Sequence, residues 1–131
     1  MRAPSPQRSH LHLQPCPPGA SRGIGLEVAA KLAAAGAQVT LLARDGAKAA
    51  AAAERCGNGT RHVTADLLDL TALRAATRAA LEGLGGLDLL VIAGGNSGSE
   101  YLGLDPNAPE SFRLLQAIHV EATLALVQVR Y

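Results

Sequence analysis

The chain has 131 residues, of which 48% are hydrophobic and 18% charged, and this composition suits one globular domain with a buried core. A net charge of +1 and an aromatic content of 2% disfavour nucleic-acid binding and electrostatic attachment to membranes. Cys16 and Cys56 lack metal-site or CxxC spacing, and no apolar run approaches the ~18 residues of a membrane span. Composition therefore predicts a cytoplasmic protein that binds no nucleic acid, membrane or metal.

The first 18 residues differ in composition from the rest of the chain. They hold five of the seven prolines and a single alanine, whereas Ala and Leu dominate from Gly19 onward. We predict that residues 1–18 are irregular or disordered and that residues 19–131 form the folded domain. An organelle-targeting role for the acid-free arm is the weaker alternative, because the arm shows no amphipathic helical pattern.

Apolar spacing along the folded part alternates between helix and strand periods. Apolar residues at i, i+4, i+8 and i+11 from Ile24 predict a first helix, which Gly36 ends. Residues 60–65 are the least apolar strand candidate, so we expect that strand near a sheet edge. The predicted elements in chain order are helix 24–35, strand 39–43, helix 46–55, strand 60–65, helix 70–84, strand 87–93 and a last helix from Pro109 to the end. Short connections between alternating elements predict an α/β fold with a doubly wound parallel sheet.

A glycine-rich turn precedes the first helix, where residues 19–25 read GASRGIG. Glycines at a helix start let the backbone approach a phosphate, and the free N–H groups and helix dipole favour negative charge there. The string resembles the glycine motif of the short-chain dehydrogenase/reductase family, and the resemblance extends from Gly19 to about Tyr131, about half of a typical member. It implies a truncated Rossmann-like fold that binds a nicotinamide dinucleotide. A helix start without a ligand is the alternative.

The resemblance also implies which residues bind the cofactor. In the family, the strand after the first helix ends beside the adenosine ribose, where an acid favours NAD and a base favours NADP. Ala43 stands at the acid position and Arg44 follows it, which implies NADP(H); a solvated Arg44 is the alternative. Asp66 matches the family's adenine contact, whereas Asp69 is a candidate helix cap. The implied cofactor-binding residues are Gly19, Ser21, Arg22, Gly23, Ile24, Gly25, Arg44, Asp66, Leu67, Ala93 and Gly94.

Two departures from the family pattern concern the sheet. The family's first strand should directly precede Gly19 in the middle of the sheet, but Pro15, Pro17 and Pro18 stand there instead. Each proline removes a ladder N–H, so we predict that the first strand is degraded or missing. The family's Asn-Asn-Ala-Gly after the fourth strand reads Ile-Ala-Gly-Gly at residues 92–95.

A third departure concerns catalysis. In the family, a Tyr is the general acid/base and a Lys four residues later lowers its pKa. Lys31 and Lys48 are the only lysines and both precede Tyr101 and Tyr131, so the chain has no YxxxK and we predict no catalytic residue. His119 corresponds best to the family's helical Asn. Its apolar surroundings in the sequence favour a packed core residue over a proton carrier.

Three interpretations of the function remain open. In the first, the chain is the NADP(H)-binding portion of an oxidoreductase that acts on a carbonyl or an alcohol. As this chain it would be inactive, because the catalytic Tyr/Lys pair is absent. The second is a catalytically dead nucleotide-binding or regulatory protein. The third is a fragment that pairs with an intact relative through helix 110–131, as a homo- or hetero-oligomer.

Overall fold

A computed structural model describes residues 9–13, 23–93 and 108–129. Four strands form one fully parallel sheet in the order β3-β2-β1-β4. This order matches the first four strands of the six-stranded Rossmann arrangement, and it confirms the predicted α/β parallel fold. The elements are β1 Ser9–Leu13, α1 Ile24–Ala34, β2 Gln38–Ala43, α2 Gly46–Cys56, β3 Arg61–Thr64, α3 Leu70–Leu84, β4 Leu89–Ile92, α4 Ala108–Gln116, a π-helical turn Ala117–Glu121 and α5 Ala122–Val127.

Strand β1 corrects the prediction that the first strand would be degraded or missing. It pairs along its whole length with β2, from Ser9 opposite Gln38 to Leu13 opposite Leu42, and its last four residues also pair with β4. The prolines do not interrupt these ladders, because β1 ends at Leu13 and all three prolines come after it. Part of the segment predicted to be irregular, residues 1–18, therefore lies in the centre of the sheet. The rest of that segment lies outside the described residues.

Helices cover both faces of the sheet. On one face, α1 and α2 pack over Val39 and Leu41 of β2, which are 1% and 0% exposed. On the other face, α3 and α5 pack around Leu42 and Leu73. The predicted edge position of β3 is confirmed, since β3 pairs only with β2 among the described strands. The sheet is thus doubly wound, as predicted.

Polar side chains hydrogen-bond to the backbone at the start of α3 and at the end of α1. Asp69 caps α3 by accepting hydrogen bonds from the N–H groups of Thr71 and Ala72, at 3.1 and 2.9 Å, which confirms its predicted capping role. Asn58, in the loop after α2, has a φ of 51° and donates from Nδ2 to the carbonyl oxygens of Ala33 and Ala37 at 2.9 and 3.2 Å. Asn58 therefore joins the loop after α2 to the end of α1.

A glycine in α3 makes room for an arginine of β3. The Arg61 guanidinium donates to the carbonyl oxygen of Gly83. A Cβ atom at position 83 would lie 3.0 Å from Nη1 of Arg61, closer than ordinary van der Waals contact. The bare backbone at Gly83 thus lets an edge strand hydrogen-bond to the last turns of α3.

The segment after β4 packs unevenly. None of the described side chains of α4 is buried, whereas Ala122, Ala125 and Leu126 of α5 are buried against the α3 side of the sheet. The outward side of this helical segment carries four exposed apolar residues: Phe112, Val120, Leu124 and Val127. Within the described ranges, none of the helices has the length and apolar character needed to cross a membrane.

Candidate dinucleotide-binding site

The candidate site lies at the carboxyl edge of the sheet, because each predicted site residue in the described ranges follows a parallel strand or opens α1. Ala43 lies opposite Thr64, and the Ala65 N–H continues the ladder by donating to the Ala43 carbonyl at 3.1 Å. Arg44 therefore emerges beside the residues that follow β3. In open parallel sheets, ligands bind at this edge, beside the point where the strand order reverses. That point lies between β1 and β4 here.

The amino terminus of α1 supplies backbone donors to this edge. Gly23 precedes the helix with an extended backbone, φ −87° and ψ 161°, and no side chain caps the first turn among the described residues. A Cβ at Gly23 would have no atom within 4 Å, and Ile24 is 81% exposed although it is a large apolar residue. Gly25 is buried against the fold. Gly19, Ser21 and Arg22 of the predicted set lie outside the described residues.

Arg44 is exposed directly after the buried strand β2. It forms no hydrogen bond or ion pair within the part of the chain that the structure describes. Ala43, at the position where an acid would favour NAD, is 3% exposed and carries no charge. The end of β2 therefore presents a guanidinium to any ligand at the carboxyl edge.

Asp66 and Leu67 lie directly beyond β3, where the sequence predicted an adenine contact. The Asp66 carboxylate accepts a hydrogen bond from the Leu68 N–H at 3.0 Å, through Oδ1, and the Asp66 carbonyl accepts from the Asp69 N–H at 3.2 Å. The side chain is half-buried, and Leu67 packs on the apolar cluster around Leu73. The turn holds one carboxylate oxygen in place and leaves Oδ2 without a partner among the described residues.

Ala93 is exposed directly after β4, so the structure places it at the same edge. Gly94, its neighbour in the predicted set, lies outside the described residues. The structure thus places the described residues of the predicted cofactor site at one edge of the sheet. They lie at the start of α1 and directly after β2, β3 and β4.

His119 corrects the interpretation of that residue as part of the core. Its side chain is exposed and lies in the π-helical turn, whereas Ala122 and Leu126, predicted on the same face, are buried. A π turn adds one residue to a helical turn and rotates the preceding part of the helix relative to the following part. Phe112, also predicted on that face, is 66% exposed for the same reason.

A charged pair that was not among the predicted site residues lies beside Arg44. Asp45 caps α2 by accepting from the Lys48 N–H at 3.1 Å, and the Lys48 ammonium lies 3.4 Å from the other carboxylate oxygen. The hydrogen bond from the Lys48 backbone lowers the pKa of Asp45 below its ordinary value of 3.8. The sequence does indicate such a pair, because an acidic residue stands at the start of a predicted helix, three residues before a lysine.

Among the described residues, Cys56 and the acidic side chains do not form a metal centre. Cys56 is a half-buried free thiol whose pKa is raised by burial. Across residues 9–13, 23–93 and 108–129, no three His, Cys, Asp or Glu side chains cluster closely enough to hold a metal ion.

The parallel sheet, its strand order and its helical crossovers define a Rossmann-type α/β domain with a candidate dinucleotide site at its carboxyl edge. Residues 18–128 match the short chain dehydrogenase family, and the chain belongs to that family. Galactitol 2-dehydrogenase from Agrobacterium fabrum (strain C58 / ATCC 33970) is 41% identical over 73 residues, which are 56% of this chain and 28% of the relative.

Solved structures of the family have the same fold. A putative betaketoacyl-ACP reductase is 30% identical, with a TM-score of 0.73 over 93% of this chain and 46% of its own. A metagenomic short-chain oxidoreductase in complex with NADP is 28% identical, with a TM-score of 0.76 over 95% of this chain and 56% of its own. A putative short chain dehydrogenase from Shigella flexneri 2a str. 301 is 26% identical, with a TM-score of 0.77 over 93% of this chain and 54% of its own. The chain thus spans about half of these structures.

Proposed function

We propose that this chain binds NADP(H) at the carboxyl edge of its sheet, as the dinucleotide-binding part of an oxidoreductase that acts on a carbonyl or an alcohol. The observation that carries the cofactor preference is the exposed Arg44 directly after β2, with Ala43 at the acid position. A guanidinium pairs well with a phosphate ester and has no acceptor for a ribose hydroxyl. The NADP complex of a similar short-chain oxidoreductase supports the same choice.

The other residues at the edge suit the remaining parts of a dinucleotide. The first N–H groups of α1 have no intrahelical acceptors, and a pyrophosphate at Gly23 would receive hydrogen bonds from them. The open space around Gly23 fits close approach of a phosphate. Asp66 would accept from the adenine amino group while Leu67 packs beside the ring. Ala93 and Gly94 would lie beside the nicotinamide ribose.

The cofactor, when bound, supplies or accepts the hydride, while a protein group must supply or accept the proton. The family uses a Tyr and a Lys four residues apart, and these 131 residues contain no such pair. We therefore propose that the chain binds and orients NADP(H) but does not by itself accelerate reduction of a carbonyl.

Binding and turnover measurements on the full chain test this function. We expect tighter binding of NADP⁺ than of NAD⁺ by isothermal titration, and we expect Arg44→Ala to reduce that preference about 10- to 100-fold, because a charge-assisted hydrogen bond contributes about 1.5–3 kcal/mol. Arg78→Ala, which removes an exposed arginine from α3, is the control and should leave the preference unchanged.

Two results would contradict the proposal. Equal affinities of the unmutated chain for the two cofactors would remove the basis for assigning Arg44. Consumption of NADPH with any member of a panel of aldehydes and ketones, in a preparation free of host reductases, would show that the chain holds a proton donor outside the family pattern.

We further propose that the chain pairs with a second copy through the exposed apolar stripe of the π turn and α5. Val120, Leu124 and Val127 follow one another at i, i+4 and i+7, and each is more than half exposed. Contiguous apolar surface of this kind marks association sites. Sedimentation velocity should show a dimer that Leu124→Asp converts to monomer, whereas Ala79→Asp on the exposed side of α3 should leave the dimer intact. A monomer before mutation, or pairing only with a related intact chain, would contradict the homodimer.

A further inference from the structure

Two side chains of opposite charge follow one another at the ribose end of β2. Arg44 is the residue proposed to bind the 2′-phosphate of NADP, and Asp45 is the next residue in the chain. A carboxylate in this region favours NAD, because it accepts a hydrogen bond from the free ribose 2′-hydroxyl and repels a phosphate. The end of β2 therefore carries one residue that favours NADP, Arg44, and one that favours NAD, Asp45. The cofactor preference depends on which of the two side chains can reach the ribose.

The structure shows that both oxygens of the Asp45 carboxylate are already engaged. Oδ1 accepts from the Lys48 backbone N–H at 3.1 Å, and Oδ2 lies 3.4 Å from the Lys48 ammonium. Both contacts direct the carboxylate toward the first turn of α2. The hydrogen bond from the Lys48 backbone also lowers the pKa of Asp45, so the carboxylate is ionised at neutral pH and the ammonium offsets its charge.

We propose that Lys48 is a positioning residue for cofactor selection: by pairing with Asp45 it keeps that carboxylate from the ribose and leaves Arg44 to select the 2′-phosphate. This inference rests on the proposed NADP(H) site. With Lys48 present, the three side chains carry a net charge of +1; without it, the net charge is zero and Asp45 has a free oxygen.

The expected effect is modest because the pair is solvent-exposed. The side chains of Lys48 and Asp45 are 51% and 42% exposed, and solvent screens exposed ion pairs, so the effect on affinity should not exceed about fivefold. Lys48 should therefore adjust the preference that Arg44 establishes.

A double-mutant cycle on the full chain tests this role, with NADP⁺ and NAD⁺ affinities measured by isothermal titration. Lys48→Met should lower the ratio of NADP⁺ to NAD⁺ affinity about three- to fivefold. Asp45→Asn keeps a helix-capping side chain but removes the charge, so it should maintain or raise the ratio. In the Asp45→Asn background, Lys48→Met should have no further effect.

Two further variants separate this role from a general loss of charge or of folding. Lys48→Arg keeps the cation and should keep the preference. Lys31→Met removes the other lysine, an exposed residue of α1, and should leave the ratio unchanged. Thermal unfolding of each variant reports whether the fold is retained.

The outcomes distinguish the two proposals. Equal affinities of the unmutated chain for the two cofactors would contradict the NADP(H) site and this inference together. A clear NADP⁺ preference that Lys48→Met leaves unchanged would overturn the inference alone. An equal loss on Lys48→Met with and without Asp45→Asn would also overturn it, because Lys48 would then act on the phosphate independently of Asp45.

Discussion

Strands β2 and β4 differ in how fully they are covered by the rest of the chain. On the β2 side, five of the six residues of β2 are buried, and α1 and α2 close over one face while α3 covers the other. On the β4 side, none of the four residues of β4 is buried, and Leu89 and Ile92 are 41% and 38% exposed. The difference separates an inner strand from an outer strand that exposes apolar side chains. The other outer strand, β3, has no buried residue either, but its exposed residues are the polar Arg61, His62 and Thr64.

This difference coincides with the division of the proposed site. Arg44 and Asp66, which would hold the adenosine end of the cofactor, follow β2 and β3 and stand just before the capped starts of α2 and α3. Ala93, which would lie beside the nicotinamide ribose, follows the exposed strand. We therefore expect the adenosine half of the site to be preorganised, and cofactor affinity to come mainly from that half.

Matched leucine truncations in two strands test the difference directly and should give the largest effect. Leu41→Ala in β2 removes a side chain that is 0% exposed, so it should reduce the free energy of unfolding by about 2–5 kcal/mol. Leu89→Ala in β4 should cost less than about 1 kcal/mol, because that side chain already contacts water. Urea denaturation of both variants measures the two values. Similar costs would show that the two sides are equally packed in solution.

Asn58 offers a sharper comparison, because its side chain hydrogen-bonds to the end of α1 and to the residue before β2. Asn58→Ala loses the hydrogen bonds to Ala33 and Ala37 and places an alanine at a φ of 51°, so it should cost about 2 kcal/mol. Asn58→Gly loses the same bonds without the backbone strain and should cost about 1 kcal/mol. Arg74→Ala, which removes an exposed 3.4 Å contact to Gln128 between α3 and the end of α5, should cost less than either. A larger cost for Arg74→Ala would reverse the comparison.

The smallest effect concerns pH. The pKa of Asp45 is lower in the folded chain than its ordinary value of 3.8, so the folded state holds this proton less tightly than the unfolded state does. Its contribution to stability is therefore present above pH 3.8 and is lost as the pH falls through the lowered folded value. Melting temperatures of the unmutated chain and of Asp45→Asn should converge in acid. A difference that stays constant across this pH range would show that the carboxylate charge has no role.

The sequence predicted the parts of the fold whose local pattern and tertiary environment agree. The apolar run from Val39 to Ala43 is a buried strand because both of its faces are covered, and Asp69 caps α3 because a short acceptor precedes an amphipathic helix. The position of Arg44 followed from the end of that strand. In each case, the residue's local preference and its place in the fold point to the same structure.

The errors arose where the pattern had more than one structural solution. The prolines before Gly19 suggested a damaged central strand, but the strand lies farther back, at Ser9–Leu13, and ends before them. His119 was placed by regular helical spacing, and the π turn changes that spacing within a few residues. The role of the Asp45–Lys48 pair could not be predicted from the sequence, because it depends on the direction of the Asp45 carboxylate, and residue spacing alone leaves that direction open.

The contact between Arg61 and Gly83 affects which residues can replace Gly83 during evolution. A glycine inside a helix costs about 1 kcal/mol relative to alanine, so mutation at position 83 would ordinarily be beneficial. Here the added methyl group would lie 3.0 Å from Nη1 of Arg61, so the guanidinium would have to move by a few tenths of an ångström while keeping its hydrogen bond to the Gly83 carbonyl. Alanine at position 83 is therefore expected to be more favourable in relatives that carry a shorter side chain at position 61, which couples the evolution of the two positions.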